Sequence, residues 1–309
     1  MSRGVWTRIA AALGAASLLA VVLVAWWSAP AEGPAPQSVA TPTRPGEAVY
    51  GPPLPAAPNP NGSLEAIPSP AFSELPDPGL EPLPSDREGV SAVLVANPLY
   101  AFPPPALEGC PEASLPADEA AWRESVSRQW ACLHAGWAPL LDGQGWPTAE
   151  PPVHFYSGAG ADSDCGYVEG PAFYCGRGEG SVHFGSAHFA MAKGWDLAVR
   201  EMVSHEYAHH LQRVSGITGA WAEDVVSARS TNVRRSELQS VCWSAMMAVR
   251  SDPEFDVADY ESWNLRLHTM QESEAHGDRA ALVEWGLRGL HAATAGDCNT
   301  WAVPDERVS

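Results

Sequence analysis

The sequence predicts an α+β fold, rich in helix with a small β-sheet and stapled by disulfides. Three observations predict it. Four long segments repeat apolar residues at spacings of three and four, the period of an amphipathic helix. The short runs VHFY (153–156), AFYC (172–175) and SVHF (181–184) have strand-like content and lie between glycine-rich turns. Six cysteines, an even number, all fall from residue 110 onward, as expected of a disulfide framework in an oxidising compartment.

The elements follow in chain order. Residues 1–29 read as an N-terminal membrane anchor or signal peptide. Arg3 and Arg8 precede the uncharged run IAAALGAASLLAVVLVAWW, residues 9–27, which at about 1.5 Å per residue just spans a hydrocarbon core of about 30 Å. Basic residues before it and Trp26-Trp27 at its far end fit a single-pass anchor with the remainder outside the cytoplasm. Cleavage at Ala29-Pro30-Ala31 would instead release a secreted protein. Residues 30–89 read as a proline-rich linker, because residues 30–105 hold 20 of the 29 prolines and each removes an amide donor and fixes φ. The folded domain is expected over 90–309, opening with strand-like SAVLVANPLY.

Within that domain, residues 117–141 read as a core helix with Trp122, Val126, Trp130, Leu133 and Trp137 on one face, and His134 as a packed or surface residue. His154 and His183 alternate with apolar residues and read as the solvent side of strands. Helices are also expected over 195–216, 231–251 and 276–296. Six cysteines allow fifteen pairings. Sequence neighbourhood favours Cys110–Cys132, Cys165–Cys175 and Cys242–Cys298.

The formal net charge is −19, which disfavours nucleic-acid binding and loose adhesion to anionic lipid, since both need basic patches.

The chemistry concentrates in SHEYAHHLQ, residues 204–212. On a helix His205 and His209 stand one turn apart on the same face and can aim two imidazole nitrogens at one point. Glu206 lies beside them, as the general base does in an HExxH zinc site. Hydrolytic zinc commonly takes three protein ligands and keeps one position for water, so a third ligand must come from another element. The candidates are Glu223, Asp224, Glu237, Glu272, Glu274 and His276. Glu237 stands out because it lies early in the next strong helix, in RRSELQSVC, the arrangement of gluzincins. The longer pattern HExxHxxGxxH is absent. His210 points about 100° away from His209 and reads as a supporting or surface residue.

HEYAHHLQRVSGI followed by RRSELQSVCW, with CGYVEGPAFYC (165–175) before them and HGD…GDCNTW after, resembles the putative neutral zinc metallopeptidase family over roughly residues 97–301. The resemblance implies a zincin-like domain with a small sheet beside the HExxH helix. It places His205, His209 and Glu237 on the metal-ligand positions, with Zn2+ as the cofactor, and Glu206 on the catalytic position. Two residues depart from the pattern. Ala208 replaces a glycine, and Val241 replaces an aspartate that in gluzincins orients a ligand histidine, a role Asp224 or Glu223 could take over.

The expected function is an extracytoplasmic zinc metallopeptidase acting on a protein or peptide substrate, held to the membrane by its N-terminal anchor or secreted. His276 is a candidate oxyanion donor, against the plainer reading of a surface or helix-capping histidine. The alternative function is a zinc-binding but inactive scaffold of the cell envelope.

Overall fold

The computed structural model describes residues 75–84, 87–224 and 228–309. The expected anchor and most of the proline-rich linker lie outside the described residues. Among the described residues no helix is long and apolar enough to cross a membrane. The end of the proline-rich segment already lies against the fold: Leu75 is buried, and Arg288 donates to the carbonyl of Glu81 at 2.7 Å.

SAVLVANPLY forms no strand. It folds as a short helix α1 (Ala92–Val95) and a 3-10 turn (Pro98–Ala101). The reason is local: the Ser91 hydroxyl accepts from the Val93 amide, and the Asn97 side chain accepts from the Leu99 amide. These caps make helical turns out of apolar residues, so Leu94 and Leu99 reach the core from them.

Helix α2 (Glu119–Gly143) starts where the Asp118 carboxylate accepts from the Ala121 amide at 2.8 Å. Its buried stripe carries Trp122, Val126, Trp130, Leu133 and Trp137. Strands β1 (Val153–Tyr156), β4 (Ala172–Cys175) and β5 (Ser181–Gly185) form a sheet in the order β1-β5-β4, with β1 parallel and β4 antiparallel to β5. Between them β2 (Gly160–Ser163) and β3 (Gly166–Glu169) make a separate hairpin. Phe173 pairs with His183 in register, and the His183 ring stacks between Phe173 (4.4 Å) and His154 (4.8 Å). His183 is therefore covered rather than solvent-facing, and only His154 of the pair is exposed.

The remaining helices are α3 (Ser186–Ala192), α4 (Ala198–Val214), α5 (Ile217–Glu223), α6 (Arg229–Arg250), α7 (Val257–Thr269) and α8 (Arg279–Leu290). Helix α4 ends at Val214, and Gly216 just beyond it, with a φ of +82°, turns the chain into α5 in a conformation open chiefly to glycine. Helix α8 is shorter than the periodicity over 276–296 suggests. Asp278 caps it by accepting from the Ala281 amide, and after His291 the chain turns into a 3-10 segment at Ala295–Cys298.

Helix α4 is the hub of the packing, lying against α2, α6 and strand β4, and α6 packs in turn on α8. The close α6–α8 approach depends on Gly289: a Cβ there would sit 2.0 Å from the Cys242 carbonyl oxygen. Tryptophans fill the interior, with Trp122, Trp130 and Trp137 on α2, Trp243 on α6, Trp263 on α7, Trp285 on α8 and Trp301 near the C-terminus all fully buried. Large rings of this kind contribute much of a core's buried apolar area.

The cysteines pair as Cys110–Cys132, Cys165–Cys175 and Cys242–Cys298. The first ties the entry loop to α2, the second ties the hairpin to β4, and the third ties α6 to the C-terminal turn.

Candidate metal centre

Two helices supply the centre. The period of α4 brings the rings of His205 and His209 to 4.9 Å between centroids, with their Nε2 atoms 3.3 Å apart. Helix α6 packs alongside and presents Glu237, whose Oε2 lies 3.2 Å from His205 Nε2 and 3.4 Å from His209 Nε2. One ligand atom from each of the three residues falls within 4.8 Å of the others, an arrangement that could hold a metal ion.

The loop between α7 and α8 brings in a third imidazole. His276 Nε2 stands 3.4 Å from the same Glu237 oxygen. Its amide donates to Ser273 Oγ, and its Nδ1 lies 3.1 Å from that hydroxyl. His276 is thus a neighbour of the cluster, although it precedes α8 rather than belonging to it. Of the other candidate ligands, Glu223 is exposed, Glu272 pairs with Arg279 at 3.4 Å, and Asp224 accepts from the Asn232 side chain at 3.0 Å. Among the described residues, the cluster of His205, His209 and Glu237 includes none of these, nor Glu274.

Glu206 is 4% exposed. Burial, reinforced by the Glu237 carboxylate, pushes its pKa up to about 7, against the opposing pull of His209, His276 and the Tyr174 backbone N–H that it accepts from. Burial would raise the Glu237 carboxyl, but His209 and the hydrogen bonds from His205, His209 and His276 hold it well below its usual range. Burial lowers His205 to about 4. In His209 burial acts the same way, yet Glu237 and Glu206 outweigh it and carry the ring up to about 9.

Support for His209, a candidate ligand, does not come from where the motif pattern suggested. Val241 is buried in the apolar core. The Nδ1 of His209 lies 3.0 Å from Gln212 Oε1 and 3.2 Å from Ser240 Oγ. Neither Asp224 nor Glu223 takes part in these contacts. Gln212 stands three residues after His209 and Ser240 three after Glu237, so helical spacing alone could have nominated both.

The opposite side of α4 is filled by rings. Tyr207 packs edge-on against Trp130 at 5.0 Å, and its hydroxyl lies 3.2 Å from His134 Nδ1. His210, buried, lies 3.1 Å through Nδ1 from the Tyr174 hydroxyl. His134 and His210 are therefore packed residues. On the sheet, Tyr156 faces Glu206 closely enough for that carboxylate to raise its pKa after burial has done so, and its hydroxyl donates to the Gly170 carbonyl at 2.6 Å.

No protein-family model matches the chain, and no solved structure matches it. Over 125 residues it is 30% identical to the uncharacterized protein Rv2575 of Mycobacterium tuberculosis and to the uncharacterized protein Mb2605 of Mycobacterium bovis. The match covers 38% of this chain and 40% of each relative, so it spans about two fifths of the length of these relatives.

Proposed function

We propose that the protein is a zinc-dependent metallopeptidase of zincin-like type working outside the cytoplasm, with His205, His209 and Glu237 as the metal ligands. The observation that carries this reading is their convergence from two packed helices beside a buried carboxyl, that of Glu206. Donor spacing supports it. Ligands about 2.0–2.1 Å from a tetrahedral zinc stand roughly 3.3–3.4 Å from one another, and the three donor atoms here are separated by 3.2, 3.3 and 3.4 Å. Two imidazoles and one carboxylate are also a donor set that hydrolytic zinc uses, with a position left for water.

Zinc bound there would supply Lewis acidity and lower the pKa of a bound water to about 7. Glu206 does the proton work. A buried carboxyl beside the ligands, raised by burial in the metal-free chain, can accept a proton from the attacking water and return it to the leaving amine. His276, whose Nε2 stands beside Glu237, offers an N–H toward an oxyanion. Three disulfides support an oxidising compartment, in keeping with a membrane-anchored or secreted chain acting on proteins or peptides.

Metal analysis of the purified chain is expected to find about one zinc per chain. Glu206→Gln is expected to abolish peptide cleavage while keeping the metal. A wild-type protein that takes up no zinc overturns the reading. Zinc uptake with a cellular phenotype indifferent to Glu206→Gln would favour a non-catalytic envelope protein.

A further inference from the structure

Resting on the metal-centre reading above, we infer that Gln212 is the positioning residue for His209, and that an uncharged hydrogen-bond relay does the work usually given to a carboxylate. The orientation of the Gln212 amide is decided by its surroundings. Its Nε2 donates to the Ser236 carbonyl at 2.8 Å and to Gln239 Oε1 at 3.1 Å. A backbone carbonyl only accepts, so a flipped amide would set oxygen against oxygen. Gln212 Oε1 must therefore face the Ser236 hydroxyl (2.8 Å) and His209 Nδ1 (3.0 Å).

The relay continues in one direction. Gln239 Oε1 receives the Gln212 amide, while Gln239 Nε2 donates to the Tyr100 hydroxyl at 3.0 Å, and Tyr100 donates to the Leu94 carbonyl at 2.9 Å. Gln212, Gln239 and Tyr100 are all buried. Each donor–acceptor sense is fixed by a carbonyl at the end of the line, so Gln212 Oε1 can only accept. An acceptor at Gln212 Oε1 favours a proton on His209 Nδ1, which leaves Nε2, 3.3 Å from His205 Nε2 and 3.4 Å from Glu237 Oε2, as the atom that would face a metal.

This explains how Val241 is tolerated. The ring orientation and tautomer that a carboxylate would impose are imposed by an amide, without burying a third carboxylate beside Glu206 and Glu237. Supporting residues of this kind typically change metal affinity by about 10–100-fold.

The test measures zinc affinity of the full chain by chelator competition, with the visible spectrum of the Co2+-substituted protein as a second readout. Gln212→Ala is expected to weaken zinc binding about 10–100-fold and to shift the Co2+ ligand-field bands. Adding Ser240→Asp, which returns an acceptor to the position now 3.2 Å from His209 Nδ1, is expected to recover affinity in the Gln212→Ala background. A purely structural role for Gln212 would not be rescued in this way. Should Gln212→Ala fail to fold, the wild-type protein still decides the matter. Long-range 1H–15N correlation on the zinc-loaded chain is expected to show His209 protonated at Nδ1. Unchanged affinity in Gln212→Ala, absence of rescue, or a proton on Nε2 overturns this inference while leaving the metal-centre reading intact. A wild-type chain that binds no zinc overturns both.

Discussion

Tyr174 bears on helix α4 twice: its backbone N–H helps to hold the Glu206 carboxyl down against burial, and its hydroxyl lies 3.1 Å from His210 Nδ1. An edge strand thereby meets α4, the helix of the candidate centre, at Glu206 and His210, one turn apart. One contact bears on the residue proposed to move protons, and the other on a ring packed behind it.

The charge state of the metal-free cluster predicts a pH dependence for zinc uptake. His209, held up to about 9 by Glu237 and Glu206 against the effect of burial, is protonated at neutral pH, and zinc must displace that proton. Apparent affinity is therefore expected to rise roughly tenfold per pH unit from 7 toward 9 and to level off above it. Calorimetry in buffers of different ionisation enthalpy should find about one proton released per zinc at pH 7. An affinity flat over that range would refute the linkage.

His188 predicts a loss of stability in acid. It is fully buried, its Nε2 lies 3.2 Å from the Ala198 carbonyl, and burial lowers its pKa from 6.5 to about 4. Between those values the unfolded chain binds the proton and the folded chain does not, so stability present above pH 6.5 drains away as pH falls toward 4. The expected loss is on the order of 3 kcal/mol. Denaturant melts at pH 7, 5.5 and 4 should show it, and His188→Gln should flatten that part of the curve.

The disulfides should differ in worth according to the loops they close. Cys242–Cys298 spans 56 residues and Cys165–Cys175 spans 10. Loop-closure entropy assigns them roughly 4 and roughly 3 kcal/mol respectively. Paired Cys→Ser variants measured by chemical denaturation should rank in that order.

Gly289→Ala tests the α6–α8 contact. The added methyl would meet the Cys242 carbonyl at 2.0 Å, closer than any relaxed side chain tolerates, so α8 must move. A destabilisation of about 3 kcal/mol is expected, compared with a near-neutral effect for the same change at Gly219, where a Cβ meets nothing within 4 Å. Equal melting temperatures for the two variants would contradict the packing described.

Much of the candidate centre was legible in the sequence, because a helix carries its own geometry. His205, Glu206 and His209 needed only the 3.6-residue period, and Glu237 only its place early in the next strong helix. Cysteine neighbourhood likewise anticipated all three pairs. The relay behind His209 was legible only in part: helical spacing could nominate Gln212 and Ser240, but their convergence on His209 Nδ1 depends on how α6 sits against α4, which no single-helix pattern encodes. Ser91 and Asn97 turned an apolar, strand-like run into helical turns through two side-chain caps. His183 escaped for a third reason: alternation along a strand says which residues share a face, and not what covers that face. The helices at Ser186–Ala192, Ile217–Glu223 and Val257–Thr269 lay in stretches where no element was expected.

The tryptophans of the interior have a practical corollary. Seven indoles sit fully buried, spread over α2, α6, α7, α8 and the C-terminal turn, so emission will report the integrity of nearly every packed layer without any attached dye. Trp130, 5.0 Å from Tyr207 on the metal-centre helix, lies closest to the question of function. The molecule carries its own optical gauge, and each of the variants above can be followed by its native light.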